Sequence, residues 1–110
     1  MSELDLGPQP LIEMMEKWGL VNEDLVNASE EQLTYKQVQR ARNGRRLTLK
    51  MMFKVTRAYN VAIWYKLNKE QKEKFEEYLH RPLFNYAKGY DAEWPDPNAG
   101  LLAEYNGEEE

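Results

Sequence analysis

Apolar residues recur at helical spacing through the first part of the chain. A first helix is predicted between Pro10 and Gly19, because proline is favoured at the start of a helix and glycine at its end. Its apolar positions are three and four residues apart, as on one helix face: Leu11, Ile12, Met15 and Trp18. A second, short helix is predicted at residues 22–29, with Asn22 as its N-cap and two acids in its first turn.

The third predicted helix has a clear beginning and a clear end. Thr34 and Gln37 have the Thr-x-x-Gln spacing of a capping box, so the helix is expected to begin at the residue after the threonine. Gly44 is suited to the left-handed conformation that ends a helix. The pattern therefore predicts a helix over residues 35–43. Its narrow apolar stripe consists of Val38 and Ala41.

Three more helices are predicted further along the chain. Thr48 is expected to cap a fourth helix that Asn60 ends, and a short fifth helix follows at residues 61–67. A sixth, amphipathic helix is predicted over residues 68–80, since apolar residues lie on one side of it and Pro82 limits it.

The pattern as a whole predicts an all-α protein, with five helices in one domain and an extra C-terminal amphipathic helix. Beyond that helix, Pro, Gly and acids are mixed without a sustained period, which favours partial order at residues 83–90 and disorder after Pro95. The expected division is a flexible N-terminus at 1–9, a domain at 10–68, a C-terminal helical extension at 69–90 and an acidic, mostly disordered tail at 91–110.

Charge is distributed in blocks. The chain has a net charge of -4, yet the segment from Gln32 to Lys69 holds Lys and Arg without any Asp or Glu. The basic residues are Lys36, Arg40, Arg42, Arg45, Arg46, Lys50, Lys54, Arg57, Lys66 and Lys69. Such charges often merely face water, but an uncompensated block inside an acidic chain favours a polyanionic partner.

Composition argues against several classes of protein. There is no Cys and only one His, so neither a zinc finger nor an imidazole metal site is expected, and no cofactor is evident. His80 stands alone and no Gly-rich phosphate loop is present, which argues against an enzyme. No basic leader or long apolar run occurs. We therefore expect a cytoplasmic protein without a membrane segment or a small-molecule ligand.

Three fragments, in the right order and spacing, carry a resemblance over residues 10–68. Gly19-Leu20 followed by Asn22-Glu23-Asp24-Leu25 is similar to the GL-x-Q-x-x-LA second helix of the XRE-type helix-turn-helix domain of Cro-like phage repressors. Residues 33–45 resemble the third helix of that family, and Ala58-Tyr59-Asn60-Val61-Ala62-Ile63 looks like the start of its fifth helix. Arg42 stands where an acid is common, and the turn between the second and third helices is about two residues longer than usual.

The resemblance implies a sequence-specific, repressor-like transcriptional regulator that binds double-stranded DNA as a homodimer. Its recognition helix, Tyr35–Asn43, would enter the major groove. Carried over residue by residue, the base-reading candidates are Tyr35, Lys36, Gln37, Gln39 and Arg40. The phosphate-binding candidates are Asn22, Thr34, Asn43, Arg45, Arg46 and Lys50. Because Lys and Arg suit the acceptors of guanine, G-containing half-sites are expected.

Alternatives stay open at this stage. In a second register, which resembles a LacI-type motif, residues 35–42 would be the scaffold helix and residues 49–57 the recognition helix. A protein-interaction module, such as an antitoxin or an adaptor with the same fold, is a different class of function. The sixth helix could supply a dimer interface or pack within the chain, and the acidic tail could compete with phosphate or be a bystander.

Overall fold

Six α-helices and one 3₁₀ turn follow one another in the computed structural model, which describes residues 6–107. The elements are α1 (Pro10–Lys17), α2 (Asn22–Ala28), α3 (Tyr35–Asn43), α4 (Leu49–Lys66), α5 (Lys69–Lys74), the 3₁₀ turn (Arg81–Leu83) and α6 (Ala99–Tyr105). The described residues contain no β-strand, which confirms the predicted all-α class. None of these helices combines the length and the apolar character that crossing a membrane requires.

The core forms where α1, α2 and α3 meet α4. α2 packs on both α3 and α4, and α1 packs on α3 and on the 3₁₀ turn. Trp18, just after α1, is fully buried, and its ring lies against Phe75 and Tyr105 from later in the chain. The other fully buried apolar side chains include Leu11, Met15, Leu25, Val38, Val55, Tyr59, Ile63, Leu83 and Phe84. The two halves of the sequence therefore share one core.

The predicted fourth and fifth helices are one continuous helix, so the predicted stop at Asn60 is wrong. Asn60 lies in the middle of α4 and is buried. Its side-chain amide donates to the carbonyl of Tyr78 at 2.9 Å and accepts from the N–H of Tyr78 at 2.8 Å. The asparagine thus pairs with another segment of the backbone instead of adopting the left-handed conformation that would end the helix.

The predicted sixth helix is also wrong in its length, because α5 ends at Lys74 and residues 75–79 have no regular secondary structure. Two buried asparagines hold this segment. Asn60 pairs with the backbone of Tyr78, and Asn98 pairs in the same way with Glu76, at 2.9 Å to the N–H and 2.7 Å to the carbonyl. These bonds give the backbone of Glu76 and Tyr78 the partners that a helix would otherwise have supplied.

The region after residue 80 is folded onto the core, although disorder after Pro95 was predicted from the sequence. Leu83 and Phe84 are fully buried, and Leu101 of α6 is 6% exposed. Asp96 accepts a hydrogen bond from the hydroxyl of Tyr78, and Glu104 forms an ion pair with Lys74. These apolar residues therefore pack within the chain, and two tail acids already have partners. The last predicted tail residues, 108–110, lie outside the described residues.

The N-terminal segment is partly anchored, where flexibility was predicted for residues 1–9. Residues 1–5 lie outside the described residues. The N–H of Leu6 donates to the carbonyl of Gly44 at 2.7 Å, and the N–H of Gln9 donates to the carbonyl of Arg42 at 3.0 Å. The chain thus crosses the C-terminal end of α3 before α1 begins.

Candidate nucleic-acid interface

The beginning of α3 is fixed by the predicted capping box. The Thr34 hydroxyl accepts from the N–H of Gln37 at 3.1 Å, and the Gln37 side chain accepts from the N–H of Thr34 at 3.0 Å. These reciprocal bonds satisfy two backbone donors that have no partner inside the helix. Both side chains are therefore engaged in starting α3, which leaves the hydrogen of the Thr34 hydroxyl and the amide nitrogen of Gln37 as donors that could reach a ligand.

The end of α3 is fixed by Gly44 and by the chain that crosses it. Gly44 has φ of 97°, in the left-handed region, and the N–H of Arg45 donates to the carbonyl of Arg40 at 3.0 Å. A Cβ atom at position 44 would overlap the backbone of Gly7. Glycine is thus required here for its conformation and for the close approach of the N-terminal segment.

One side of α3 packs inward and the other is open to solvent. Val38 and Ala41 are fully buried, whereas Gln37 and Arg42 lie at the border of the packed side. We call the opposite side the free face of α3; its members are Tyr35, Lys36, Gln39, Arg40 and Asn43, all exposed. Their spacing of three and four residues places them on one surface of the helix.

Within the part of the chain that the structure describes, no acid forms an ion pair with the charges on the free face. Among residues 6–107, the ion pairs within 4.0 Å are Arg57 with Glu31 and Lys74 with Glu104. Lys36 and Arg40 belong to neither pair. Arg57 is held by two hydrogen bonds to Glu31, which also lower the pKa of that carboxyl. The basic block predicted from the sequence is therefore partly used inside the molecule, and α3 carries cations that remain available.

Asn22 joins α2 to α3. Its side-chain nitrogen donates to Gln39 Oε1 at 2.6 Å, and its side-chain oxygen accepts from Arg42 Nη1 at 2.7 Å. Asn22 is 3% exposed. It is the first residue of α2, so its prediction as the N-cap is wrong. Val21 is the N-cap, and its N–H donates to the carboxylate of Asp24. Because Asn22 is buried and both its side-chain nitrogen and its side-chain oxygen are hydrogen-bonded, it is not placed for the phosphate contact predicted for it. It can instead fix the angle between the helices.

The basic loop, which we define as residues 44–48, follows α3 and leads into α4. Arg45 and Arg46 are exposed in it, and Thr48 caps α4 by accepting from the N–H of Met51 at 3.1 Å. Lys50 is exposed in the first turn of α4. Backbone amides at a helix start and arginines beside them form an environment that suits phosphate.

Tyr86 contacts this loop from the C-terminal part of the chain. Its hydroxyl accepts from the N–H of Leu47 at 3.0 Å and lies 3.4 Å from the carbonyl oxygen of Arg45, to which it donates. The guanidinium carbon of Arg46 lies 5.8 Å from the centroid of the Tyr86 ring. Partial burial raises the pKa of the Tyr86 hydroxyl, and the Leu47 N–H and the Arg46 charge act in the opposite direction.

The structure brings most of the predicted site residues to one region and separates out Asn22. The exposed base-reading and phosphate-binding candidates lie on α3, at its ends and in the first turn of α4. They are Thr34, Tyr35, Lys36, Gln39, Arg40, Asn43, Arg45, Arg46 and Lys50. Sequence reasoning missed Tyr86 and the link from Asn22 to Arg42. No local pattern reveals either, since their partners lie 39 and 20 residues away.

Comparisons with protein-family models, with curated proteins and with solved structures found no match to this chain.

Proposed function

We propose that this protein is a sequence-specific, repressor-like regulator that binds double-stranded DNA in the cytoplasm, with α3 in the major groove. The observation that carries the proposal is the free face of α3: exposed polar and basic side chains on a helix whose start, end and angle to α2 are each fixed by hydrogen bonds. A rigid helix that presents exposed cations suits a polyanion with readable base edges. Within this proposal the domain has the Cro-like helix-turn-helix arrangement and binds as a homodimer.

The members of the free face divide by chemistry. Lys36 and Arg40 can donate to the O6 and N7 acceptors of guanine, and Tyr35 can pack on a thymine methyl or bond a phosphate. Gln39 is already bonded to Asn22 through its oxygen, which leaves its amide nitrogen to donate. Asn43, together with Thr34 at the other end of α3, is better placed for phosphate. We therefore expect G-containing half-sites.

The second register, with residues 49–57 as the recognition helix, fits the structure less well. The exposed residues on that part of α4 include Leu49, at 54%, and Phe53, at 39%, which cannot hydrogen-bond to base edges. Arg57 is paired with Glu31. The proposal therefore keeps α3 in the groove and assigns the first turn of α4 to the DNA backbone.

A protein-interaction module is a second candidate function, and one surface favours it. Leu49 and Phe53 lie on α4, and the ring of His80 packs against Phe53 with centroids 4.8 Å apart. Leu79, next to that histidine, is 61% exposed. Exposed apolar side chains on neighbouring segments are typical of protein contacts. This surface could serve a dimer or a different partner, such as the toxin of an antitoxin.

Selection of bound fragments from a random duplex pool tests the proposed function. A DNA-binding regulator enriches one motif, and the affinity for that motif falls steeply as salt rises. The matched control is the double variant Lys36→Ala/Arg40→Ala, which alters the free face without touching the core and is expected to enrich no motif. A protein-interaction module would enrich nothing in either form, and that result would contradict the proposal.

A further inference from the structure

The C-terminal segment that follows the 3₁₀ turn lies against the proposed DNA interface. It belongs to residues 69–110, outside the part of the chain that resembles a helix-turn-helix domain, and no role in DNA binding was predicted for residues 83–90. Tyr86 is its point of contact with the basic loop. The question is whether that contact has a function or only completes the packing.

Tyr86 is held firmly by its own neighbours. Its ring packs on Phe84, with centroids 5.9 Å apart, and Phe84 is fully buried. The N–H of Asn85 donates to Gln9 Oε1 at 2.7 Å, and Gln9 is 3% exposed. The N–H of Ala87 closes a turn onto the carbonyl of Phe84 at 3.0 Å. The phenol therefore projects from an anchored turn.

The basic loop is also held at its start, where the N–H of Arg45 donates to the carbonyl of Arg40 at 3.0 Å. It has no regular helix, and both of its arginines are exposed. Gly44 is bonded to Leu6 at one end of the loop, and Thr48 begins α4 at the other. Between these ends, the Tyr86 hydroxyl bonds the backbone on both sides of Arg46 and the Tyr86 ring faces its guanidinium. One side chain thus restrains both the path of the loop and the direction of an arginine.

We infer that Tyr86 is a positioning residue for phosphate binding: it holds the basic loop so that Arg45 and Arg46 meet the DNA backbone together with α3. This inference rests on the proposed function and extends the interface to the C-terminal part of the chain. An ordered loop binds more tightly because the freedom of its side chains is restricted before the DNA arrives. A residue that only stabilised the fold would leave the number of phosphate contacts unchanged.

The test uses the full chain and the variant Tyr86→Phe, which keeps the ring and removes the hydroxyl. The probe is a fluorescein-labelled random-sequence duplex, titrated by anisotropy at several salt concentrations. Loss of the hydrogen bonds is expected to weaken binding about two- to tenfold. The slope of log affinity against log salt should fall by about one, as for one lost phosphate contact. Circular dichroism checks that the helical content is unchanged.

Tyr105→Phe is the matched control. Tyr105 is also partly buried, and its ring packs on Trp18 at 5.4 Å, but its hydroxyl has no hydrogen-bond partner among residues 6–107. Its removal should leave both the affinity and the salt slope as in the wild type. A second comparison makes Tyr86→Phe in the Arg45→Ala/Arg46→Ala background, where its effect should fall below twofold because the arginines it orients are gone.

The outcomes are distinguishable. If the wild type binds duplex but Tyr86→Phe has the same affinity and slope, the inference is wrong and the proposed function stands. The inference is also wrong if Tyr86→Phe weakens DNA binding equally in the Arg45→Ala/Arg46→Ala background, because the tyrosine then does not act through these arginines. If the wild type binds no duplex at low salt, the proposed function itself fails.

Discussion

Replacing Asn22 by alanine tests how the free face of α3 is held. The substitution removes a hydrogen bond to Gln39 at 2.6 Å and one from the Arg42 guanidinium at 2.7 Å. A neutral hydrogen bond contributes about 0.5–1.5 kcal/mol and one to a charged group about 1.5–3 kcal/mol. Water can reach Gln39 and Arg42 once the amide is gone, so the expected loss of unfolding free energy is about 1–3 kcal/mol.

Urea denaturation followed by circular dichroism measures this loss. The matched control is Asn27→Ala, the same chemical change in the same helix at an exposed position whose side chain forms no hydrogen bond among residues 6–107. The control should stay within about 0.5 kcal/mol of the wild type. A denaturant slope that is equal in all three proteins would show that only stability has changed.

The DNA affinity of the same variant gives the functional part of the prediction. If Asn22 fixes the angle of α3, its loss should weaken binding to the selected duplex more than binding to random duplex, since base contacts need the more accurate geometry. The reasoning is refuted if Asn22→Ala is as stable as Asn27→Ala, or if it discriminates between the two duplexes as well as the wild type does.

Three further changes have definite expected results. Gly44→Ala should destabilise the fold by at least about 1 kcal/mol in urea denaturation, because φ of 97° disfavours a side chain and the added Cβ meets backbone; wild-type stability would contradict this. Arg45→Ala with Arg46→Ala should lower the affinity for any duplex and reduce the salt slope by about one to two, whereas an unchanged slope would remove both from the interface. Deleting residues 91–110 should lower the melting temperature, since it removes the buried Asn98 and Leu101, and an unaltered melting temperature would show that this region is dispensable.

The expected effect of that deletion differs from the effect expected of a free acidic arm that competes with phosphate, which was one of the two alternatives left open by the sequence. As a free acidic arm, the C-terminal region would compete with phosphate, and its removal would tighten binding at low salt. In the structure Asp96 bonds Tyr78 and Glu104 bonds Lys74, so two of its acids are engaged away from α3. Loss of stability is therefore the expected result.

Local signals explain what could be predicted of the fold. The first three helices begin and end close to where capping residues and glycines indicated, and the structure contains the capping box of Thr34 and Gln37 in full. Such signals depend on atoms within four residues of one another, so the sequence alone is sufficient to read them. The exposed side of α3 followed from the same local period.

Long-range pairing explains what could not be predicted. Asparagine often ends a helix, which is why a stop was predicted at Asn60. Its side chain instead pairs with the backbone of Tyr78, 18 residues away. Asn98 pairs with the backbone of Glu76, 22 residues away, in a segment that is not helical although its charges and apolar spacing suggested a helix. Within the site, Asn22 was predicted as a cap and a phosphate contact and Tyr86 was not assigned to the interface, because tertiary contacts alone define their roles.

Arg40 is the residue at which reading of DNA bases by the free face of α3 can be measured. Matched titrations compare the wild type and Arg40→Ala on the selected duplex and on random duplex at one salt concentration. If Arg40 contacts a base, its replacement should cost about 1–3 kcal/mol on the selected duplex and less on random duplex, since a base contact is specific to sequence and a phosphate contact is not. Equal losses on both duplexes, or no binding by the wild type, would contradict base reading by the free face of α3.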